Sequence, residues 1–221
     1  MLRWMDKQGR YHHGDLRSAL VSASLALIEE GGVQALSLRK AAKKAGVSPA
    51  APYHHFASRS ALLAAIAVDG FTLLHGEMER AREGTSTPAE RLGSCGRAYV
   101  RFARSYPAHF RVMFRPELAD RSEFPELEEV AGPVFELLVQ TLDDGQASGA
   151  VPSGDNQGYV LLAWSIAHGL SSLIVDGPLG TDFHKVDVPE EELAELVIGT
   201  LAKLLTGAAE AERRGWTPSD G

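Results

Sequence analysis

The hydrophobic and polar positions of this 221-residue chain repeat with a helical period along nearly its whole length. Apolar residues recur three and four positions apart, and no stretch alternates with the period of two that is typical of a strand. The pattern therefore predicts an all-α protein of about nine helices. The predicted helices cover 15–30, 37–45, a third that opens at Ser48-Pro49, 58–82, 87–106, 126–147, 156–175 and 189–206, with short pieces between 107 and 125.

Capping signals set the expected helix boundaries. Thr87-Pro88-Ala89-Glu90 has the form of a capping box with proline in the first turn, and it is the strongest helix start in the chain. Asp15 and Asp155 are expected to cap helices through their side-chain oxygens. Gly207 is expected to end the last helix, so residues 208–221 are predicted to form a flexible tail.

The run from Asn156 to Val175 is uncharged and nominally long enough to span a bilayer. It contains His168 and several serines, and Asp155 and Asp176 flank it without basic or aromatic anchors at both ends. A helix that is apolar nearly all round is equally typical of the centre of a bundle or a dimer. We therefore expect no membrane association.

Cysteine usage and the first residues bear on localisation. The single Cys95 excludes an intramolecular disulfide and a cysteine-based zinc cluster, which fits a reducing cytosol. The first ten residues are mixed and polar, without the apolar segment of a signal peptide. These features predict a cytoplasmic protein, and no metal or cofactor is expected.

Charge divides the chain into two parts, which we call the head (residues 1–60) and the body (residues 61–221). The head holds nine lysines and arginines against four acidic residues, a net charge of +5. The body has a net charge of −12, so the whole chain has a net charge of −7. A basic head on an acidic body indicates that the head meets a polyanion and the body does not.

The head also has the residue pattern of a helix-turn-helix. In Ala45-Gly46-Val47-Ser48, glycine tolerates a left-handed turn, valine fills the core and serine can cap the following helix. The neighbouring Ala41-Ala42 pair permits the close helix approach that such a turn requires. In this motif the second helix projects into the major groove of DNA.

Longer stretches of the head resemble a known family. Residues 37–48 (SLRKAAKKAGVS), 52–56 (PYHHF) and 58–63 (SRSALL) closely resemble the DNA-binding domain of TetR/AcrR-type transcriptional regulators. Tyr11 to Arg17 (YHHGDLR) and Ala163 to Leu170 (AWSIAHGL) are similar to the subgroup named for a C-terminal Trp-His-Gly motif. The resemblance implies a DNA-binding domain at 14–74, with its helix-turn-helix at about 37–56, and an effector-binding and dimerisation domain at 75–207.

The candidate DNA-contacting residues combine charge, hydroxyls at helix starts and side chains of the recognition helix. Ser37 and Ser48 can hold phosphate oxygens, Arg59 is expected to clamp a phosphate, and the Ala50 methyl is suited to thymine. Which of His54 and His55 faces DNA stays open. The full predicted set is Ser37, Arg39, Lys43, Lys44, Ser48, Ala50, Tyr53, His54 and Arg59.

The body is expected to supply a dimer interface and a ligand cavity. The resemblance implies dimerisation through the last two long helices, and the predicted interface residues are Leu170, Ile174, Leu193, Val197, Leu201 and Leu204. Apolar side chains on the intervening helices suit a cavity for a small, largely apolar effector. The predicted lining is Phe71, Phe102, Phe110, Met113, Phe114, Trp164 and His168, although His168 can equally be a satisfied core histidine.

The expected function is a homodimeric transcriptional regulator, a repressor that a ligand releases from a palindromic operator in double-stranded DNA. An enzyme is disfavoured because the chain has no GxSxG elbow, no metal-spaced histidine cluster and no phosphate loop. A helical DNA-binding or adaptor protein without an effector remains the alternative, and an internal cavity would separate the two.

Overall fold

The structure, a computed structural model, describes residues 13–177 and 188–215, and this part of the chain contains eight α-helices and no strand. The all-α prediction is confirmed. The helices are α1 (His13–Gly31), α2 (Leu38–Lys44), α3 (Arg59–Arg82), α4 (Pro88–Ser105), α5 (Pro107–Met113), α6 (Pro125–Ala147), α7 (Asn156–Val175) and α8 (Glu190–Arg213). Short 3-10 turns lie at Val33–Ala35, Ala51–His54, Pro116–Leu118 and Arg121–Glu123.

Most of the predicted helix starts are formed as expected. The capping box is complete, because the Glu90 amide donates to Thr87 Oγ1 at 3.2 Å and the Glu90 carboxylate accepts from the Thr87 amide at 3.1 Å. Ser58 caps α3 through the Ala61 amide at 3.1 Å, and Asp155 accepts from the Gln157 amide at 3.0 Å. The predicted cap at Asp15 is wrong, since α1 begins earlier, at His13.

The third predicted helix, opening at Ser48-Pro49, is instead a single 3-10 turn over Ala51–His54. Pro52 carries no amide hydrogen, so the first α-helical bond of a helix capped by Ser48, from residue 52 to the Ser48 carbonyl, has no donor, and the Ala51 amide donates to that carbonyl instead, at 3.0 Å. The Phe56 amide closes the segment on the Pro52 carbonyl at 2.9 Å.

The last helix does not end at Gly207 but continues to Arg213. Its final turns have tertiary support, because Ala209 is buried and the Arg213 guanidinium donates to the Gly149 carbonyl. The predicted tail is therefore helical over 208–213, and residues 216–221 lie outside the described part, as do Tyr11 and His12.

Helix α3 joins the head to the body. Its first turns pack on α1 and its remainder on α4, α5 and α6. One hydrophobic core runs without interruption from Leu20 and Phe56 in the head, through Leu62 and Leu74 of α3, to Ile198 of α8. The boundary predicted between 74 and 75 thus falls inside α3, within this core.

Two described helices, α3 and α7, are long and apolar enough to cross a membrane by length and composition alone. Just over half of the apolar window of α3 is buried inside the protein, as in a core helix, whereas only 22% of that of α7 is. Part of α7 therefore presents apolar side chains on the outside of the single chain.

Candidate DNA-binding surface and effector cavities

The turn after α2 has the hydrogen bonds of a Schellman motif. Ser37 caps the start of α2, accepting from the Lys40 amide at 3.2 Å. At the other end, Gly46 has φ +71°, its amide donates to the Lys43 carbonyl at 3.2 Å, and the Val47 amide donates to the Ala42 carbonyl at 3.0 Å. This left-handed glycine reverses the chain and directs it into the 3-10 turn.

Seven of the predicted DNA-contacting residues share one property, which is exposure to solvent. Tyr53 is 54% exposed, although a large aromatic side chain usually prefers burial. The seven exposed residues are Arg39, Lys43, Lys44, Ser48, Ala50, Tyr53 and His54. His54 is exposed and His55 is half-buried beside Phe56, with a ring-centroid separation of 6.5 Å.

Two of the cationic residues predicted to contact DNA form contacts within the protein itself. Lys44 Nζ lies 2.6 Å from Glu30 Oε1 of α1. The Arg59 guanidinium donates to the Val33 carbonyl at 2.8 Å and to the Leu36 carbonyl at 3.1 Å, and it lies 3.4 Å from Glu117 Oε1. Arg59 therefore fixes the segment before α2 and ties it to the body, rather than presenting its charge to a phosphate.

Glu117 holds Arg59 as part of a three-residue cluster. Arg115 donates to both carboxylate oxygens of Glu117, at 3.1 Å each. This hydrogen bonding, chiefly from Arg115, lowers the pKa of Glu117 to about 2. The carboxylate therefore stays charged over the physiological range and couples the end of α5 to the start of α2.

An apolar cavity lies at the centre of the body, between α3, α4, α6, α7 and α8. Its volume is about 40 Å³. Of the residues predicted to bind a ligand, Phe71, Phe114 and Trp164 line this cavity. Cys95 and Tyr99, which were not among the predicted residues, line it as well. This volume admits a few waters but is below the ~150 Å³ at which a cavity takes up benzene.

The remaining predicted ligand residues lie elsewhere. Phe102 and Met113 are fully buried in the core and do not line the apolar cavity, so their part in ligand binding stays a prediction. Phe110 and His168 line a second cavity of about 320 Å³ between head and body, which we call the junction cavity. Phe114 lines both cavities, and its ring lies 4.6 Å from His168 and 6.3 Å from Trp164.

A hydrogen-bonded row of side chains connects the two cavities. Tyr99 Oη lies 2.9 Å from His168 Nδ1. Burial raises the pKa of Tyr99 above its ordinary value, and a hydrogen bond from Trp164 opposes this shift. Burial also lowers the pKa of His168, so the neutral imidazole is favoured. Such a row is typical of a polar wall in an otherwise apolar site.

The proposed dimer residues divide between two faces of the last helices. Leu170, Leu193 and Leu201 are buried within the single chain, so they lie off its exposed surface and their place at the interface stays a prediction. Ile174 and Val197 are half-buried against the core, and only Leu204 of the set is well exposed, at 66%. The exposed apolar residues of α7 and α8, which we call the outer face, are Leu161, Leu162, Leu173, Leu196 and Leu204.

Several residues of these sites were missed from the sequence. Cys95 and Tyr99 share a face of α4 at a spacing of four, a signal that was available in the apolar periodicity. The Arg59–Glu117 contact joins residues 58 positions apart, and no local spacing could have indicated it. No group of three or more metal-ligating side chains is found among the described residues.

Comparison with known families gives two matches along the chain. The family described as "Bacterial regulatory proteins, tetR family" matches residues 20–66. The family described as "Tetracyclin repressor-like, C-terminal domain" matches residues 92–201. The two matches together span most of the chain.

Individual relatives are similar over parts of their length. The HTH-type transcriptional regulator BetI of Rhizobium meliloti is 35% identical over 85 residues, 38% of this chain and 42% of that protein. The HTH-type transcriptional repressor KstR of Mycolicibacterium smegmatis is 26% identical over 131 residues, 59% of this chain and 64% of that protein. The chain thus covers less than two thirds of either relative.

A solved structure extends the similarity to the whole fold. A protein of unknown function from Rhodococcus sp. RHA1 is 32% identical, with a TM-score of 0.72, over 90% of this chain and 100% of that one. Head and body are therefore arranged in that protein much as they are here.

Proposed function

Because the chain belongs to the TetR family of DNA-binding transcriptional regulators, we propose that it is a dimeric, cytoplasmic repressor released from its operator by a small, largely apolar effector. The observation that carries the proposal is the single core that links an exposed helix-turn-helix to a body enclosing an apolar cavity. The relative KstR, named as a repressor, supports repression rather than activation.

The DNA contacts are assigned to the exposed residues of the head. Arg39 and Lys43 of α2 supply charge to the phosphates, while Tyr53 and His54 of the 3-10 turn reach the base edges. With only one helical turn in place of a recognition helix, few side chains enter the groove. Sequence readout therefore rests on Tyr53, His54 and the methyl of Ala50.

This assignment is tested on the DNA upstream of the protein's own coding region. Arg39→Ala should weaken operator binding and reduce the slope of log affinity against log salt by about one, because one phosphate contact is lost. The control is Arg80→Ala, an exposed arginine of α3 that forms an ion pair with Glu77 of the same helix. Equal affinity and slope for the Arg39 variant and the wild type, measured by fluorescence anisotropy, would contradict the assignment.

The effector is assigned to the apolar cavity. At about 40 Å³ the cavity is too small for a ligand, so binding must move the surrounding helices apart. Phe71 and Met78 of the lining belong to α3, which begins in the head at Arg59. An effector therefore acts on DNA affinity only as far as it prefers the expanded state.

A graded series of uncharged apolar probes, from 1-hexanol to 1-dodecanol, tests the cavity. At least one alcohol should release labelled operator DNA, and Ala167→Leu should abolish the response by filling the cavity while ligand-free DNA binding persists. Ala147→Leu, at an exposed position of α6, is the matched control. If no alcohol releases DNA, the effector-free DNA-binding alternative is favoured.

The dimer is assigned to the outer face of α7 and α8. Monomeric proteins rarely leave several large leucines exposed on adjacent helices, and a second copy of the same face is the partner that the family implies.

Trp164, His168 and Gly169 further support membership of the subgroup with a C-terminal Trp-His-Gly motif.

A further inference from the structure

We propose that the junction cavity binds an organic carboxylate, with the acidic group held by Arg111, Arg115 and His168 and the apolar part against Phe110 and Phe114. The site itself is independent of the repressor function proposed above, and only its effect on DNA binding rests on that function. Its volume of about 320 Å³ lies within the range of ~300–1,000 Å³ for pockets that hold small organic ligands.

His168 is held through one of its two ring nitrogens. Tyr99 Oη lies 2.9 Å from His168 Nδ1, so this nitrogen is engaged by Tyr99 whichever of the two groups donates. Burial lowers the pKa of His168 and so disfavours the imidazolium. Nε2 is the ring nitrogen left for a ligand in the junction cavity, and it donates to a carboxylate when the Tyr99 hydroxyl gives its proton to Nδ1.

The charges around the cavity favour an anion. Its lining contains Arg111, Arg115 and a single carboxylate, Asp176, whose Oδ1 lies a long 3.4 Å from Arg111 Nε. Arg111 also donates to the Val175 carbonyl, and Arg115 is shared with Glu117 just outside the lining. The lining thus keeps a net charge of +1 in a body that carries −12.

A neighbouring groove strengthens this local positive potential. It shares Arg111 with the junction cavity and is lined also by Arg101 and Arg104 of α4. Phe110 and Phe114 supply the apolar surface of the cavity. A ligand that matches both the positive potential and the apolar surface has one acidic group and one ring or short chain. A fully apolar or a polyanionic ligand matches only one of these two features.

The site reaches the head through the turn between α1 and α2. Val33 and Gln34 line the cavity, and the Val33 carbonyl is also held by Arg59. A bound carboxylate that competes for Arg115 weakens the hold of Arg115 on Glu117, which in turn contacts Arg59. Occupancy is therefore sensed by the segment that leads into α2.

The test is a calorimetric titration of the full chain with benzoate, 2-naphthoate and decanoate, each compared with its neutral amide. At least one carboxylate should bind, and its amide should bind about tenfold more weakly or worse, because the charge-assisted hydrogen bonds are lost. Arg111→Gln should weaken carboxylate binding to a similar extent. Arg80→Gln, at an exposed position of α3 that lines neither the junction cavity nor the neighbouring groove, should leave it unchanged.

A second variant guards against misfolding of the first. Gln34 is exposed on the head side, so Gln34→Trp should fill the cavity and abolish carboxylate binding without disturbing the core. It should leave DNA release by the alcohol series intact, so failure of the two proposed sites can be told apart.

Three results would overturn the proposal. The first is that none of the carboxylates binds, and the second is that carboxylates and amides bind equally well. The third is that Arg111→Gln lowers operator affinity while carboxylate binding is unchanged, which would assign the arginines to DNA phosphates.

Discussion

At the scale of single residues, the geometry of the DNA-binding head depends on Gly46. Its φ of +71° lies in the left-handed region, and no other atom would lie within 4 Å of an added Cβ. A side chain at this position would therefore strain the backbone without a clash. This residue was predictable, because Ala45-Gly46-Val47-Ser48 is a local pattern. The partners of Arg59 were not, since they lie 23 to 58 positions away in the chain.

Gly46→Ala should lower the free energy of unfolding by about 1–2 kcal/mol, the cost of a left-handed alanine. Operator affinity should fall as well, since the 3-10 turn that carries Tyr53 is set by this glycine. Urea denaturation measures the first effect. Gly207→Ala is the control, because Gly207 lies inside α8 with open space around it and alanine there favours the helix. An equal or greater loss for Gly207→Ala would contradict the argument.

At the scale of elements, α8 carries two apolar faces. Leu193, Ile198, Leu201 and Leu205 pack inward, while Leu196 and Leu204 are 51% and 66% exposed. The sequence predicted Leu193, Val197, Leu201 and Leu204 of this helix as interface residues, but periodicity alone does not tell which side chains meet the protein's own body. The same limit applies to the third predicted helix, where Pro52 outweighs a favourable start at Ser48-Pro49.

Leu204→Lys should give a folded monomer with weakened operator binding, because it places a charge on the outer face only. Leu201→Lys buries the same charge in the core beside the apolar cavity and should unfold the chain, at a cost of several kcal/mol. Light scattering gives the mass, and circular dichroism gives the helix content. A stable Leu204→Lys dimer would move the interface away from α8.

At the scale of the whole molecule, head and body are coupled by the shared core and by the Arg59–Glu117–Arg115 cluster. Interactions of Glu117 that exist only in the folded state lower its pKa to about 2. For a carboxyl with a lowered pKa, the stabilisation is present above its ordinary pKa of about 4.5 and is lost as the pH falls towards about 2.

Glu117→Gln should therefore have a lower free energy of unfolding than the wild type at about pH 7. The difference between the two proteins should shrink steadily below about pH 4.5. The cluster is about one-third exposed, so the effect at neutral pH should be modest, of the order of 1 kcal/mol. Denaturant titrations across this pH range measure it, with Glu123→Gln at a nearby exposed position as the control. A difference that is independent of pH would show that the charge on Glu117 is not involved.

The passage of one helix through both parts of the molecule limits how the protein can be engineered as a biosensor. A head exchanged at residue 74 would be cut through a packed core, where Leu74 and Met78 are both buried. A cut in the polar segment at 83–86 avoids that damage, but it transfers Phe71 and Met78 of the effector cavity together with the head. A chimera made in this way would acquire a new promoter and a new inducer at the same time.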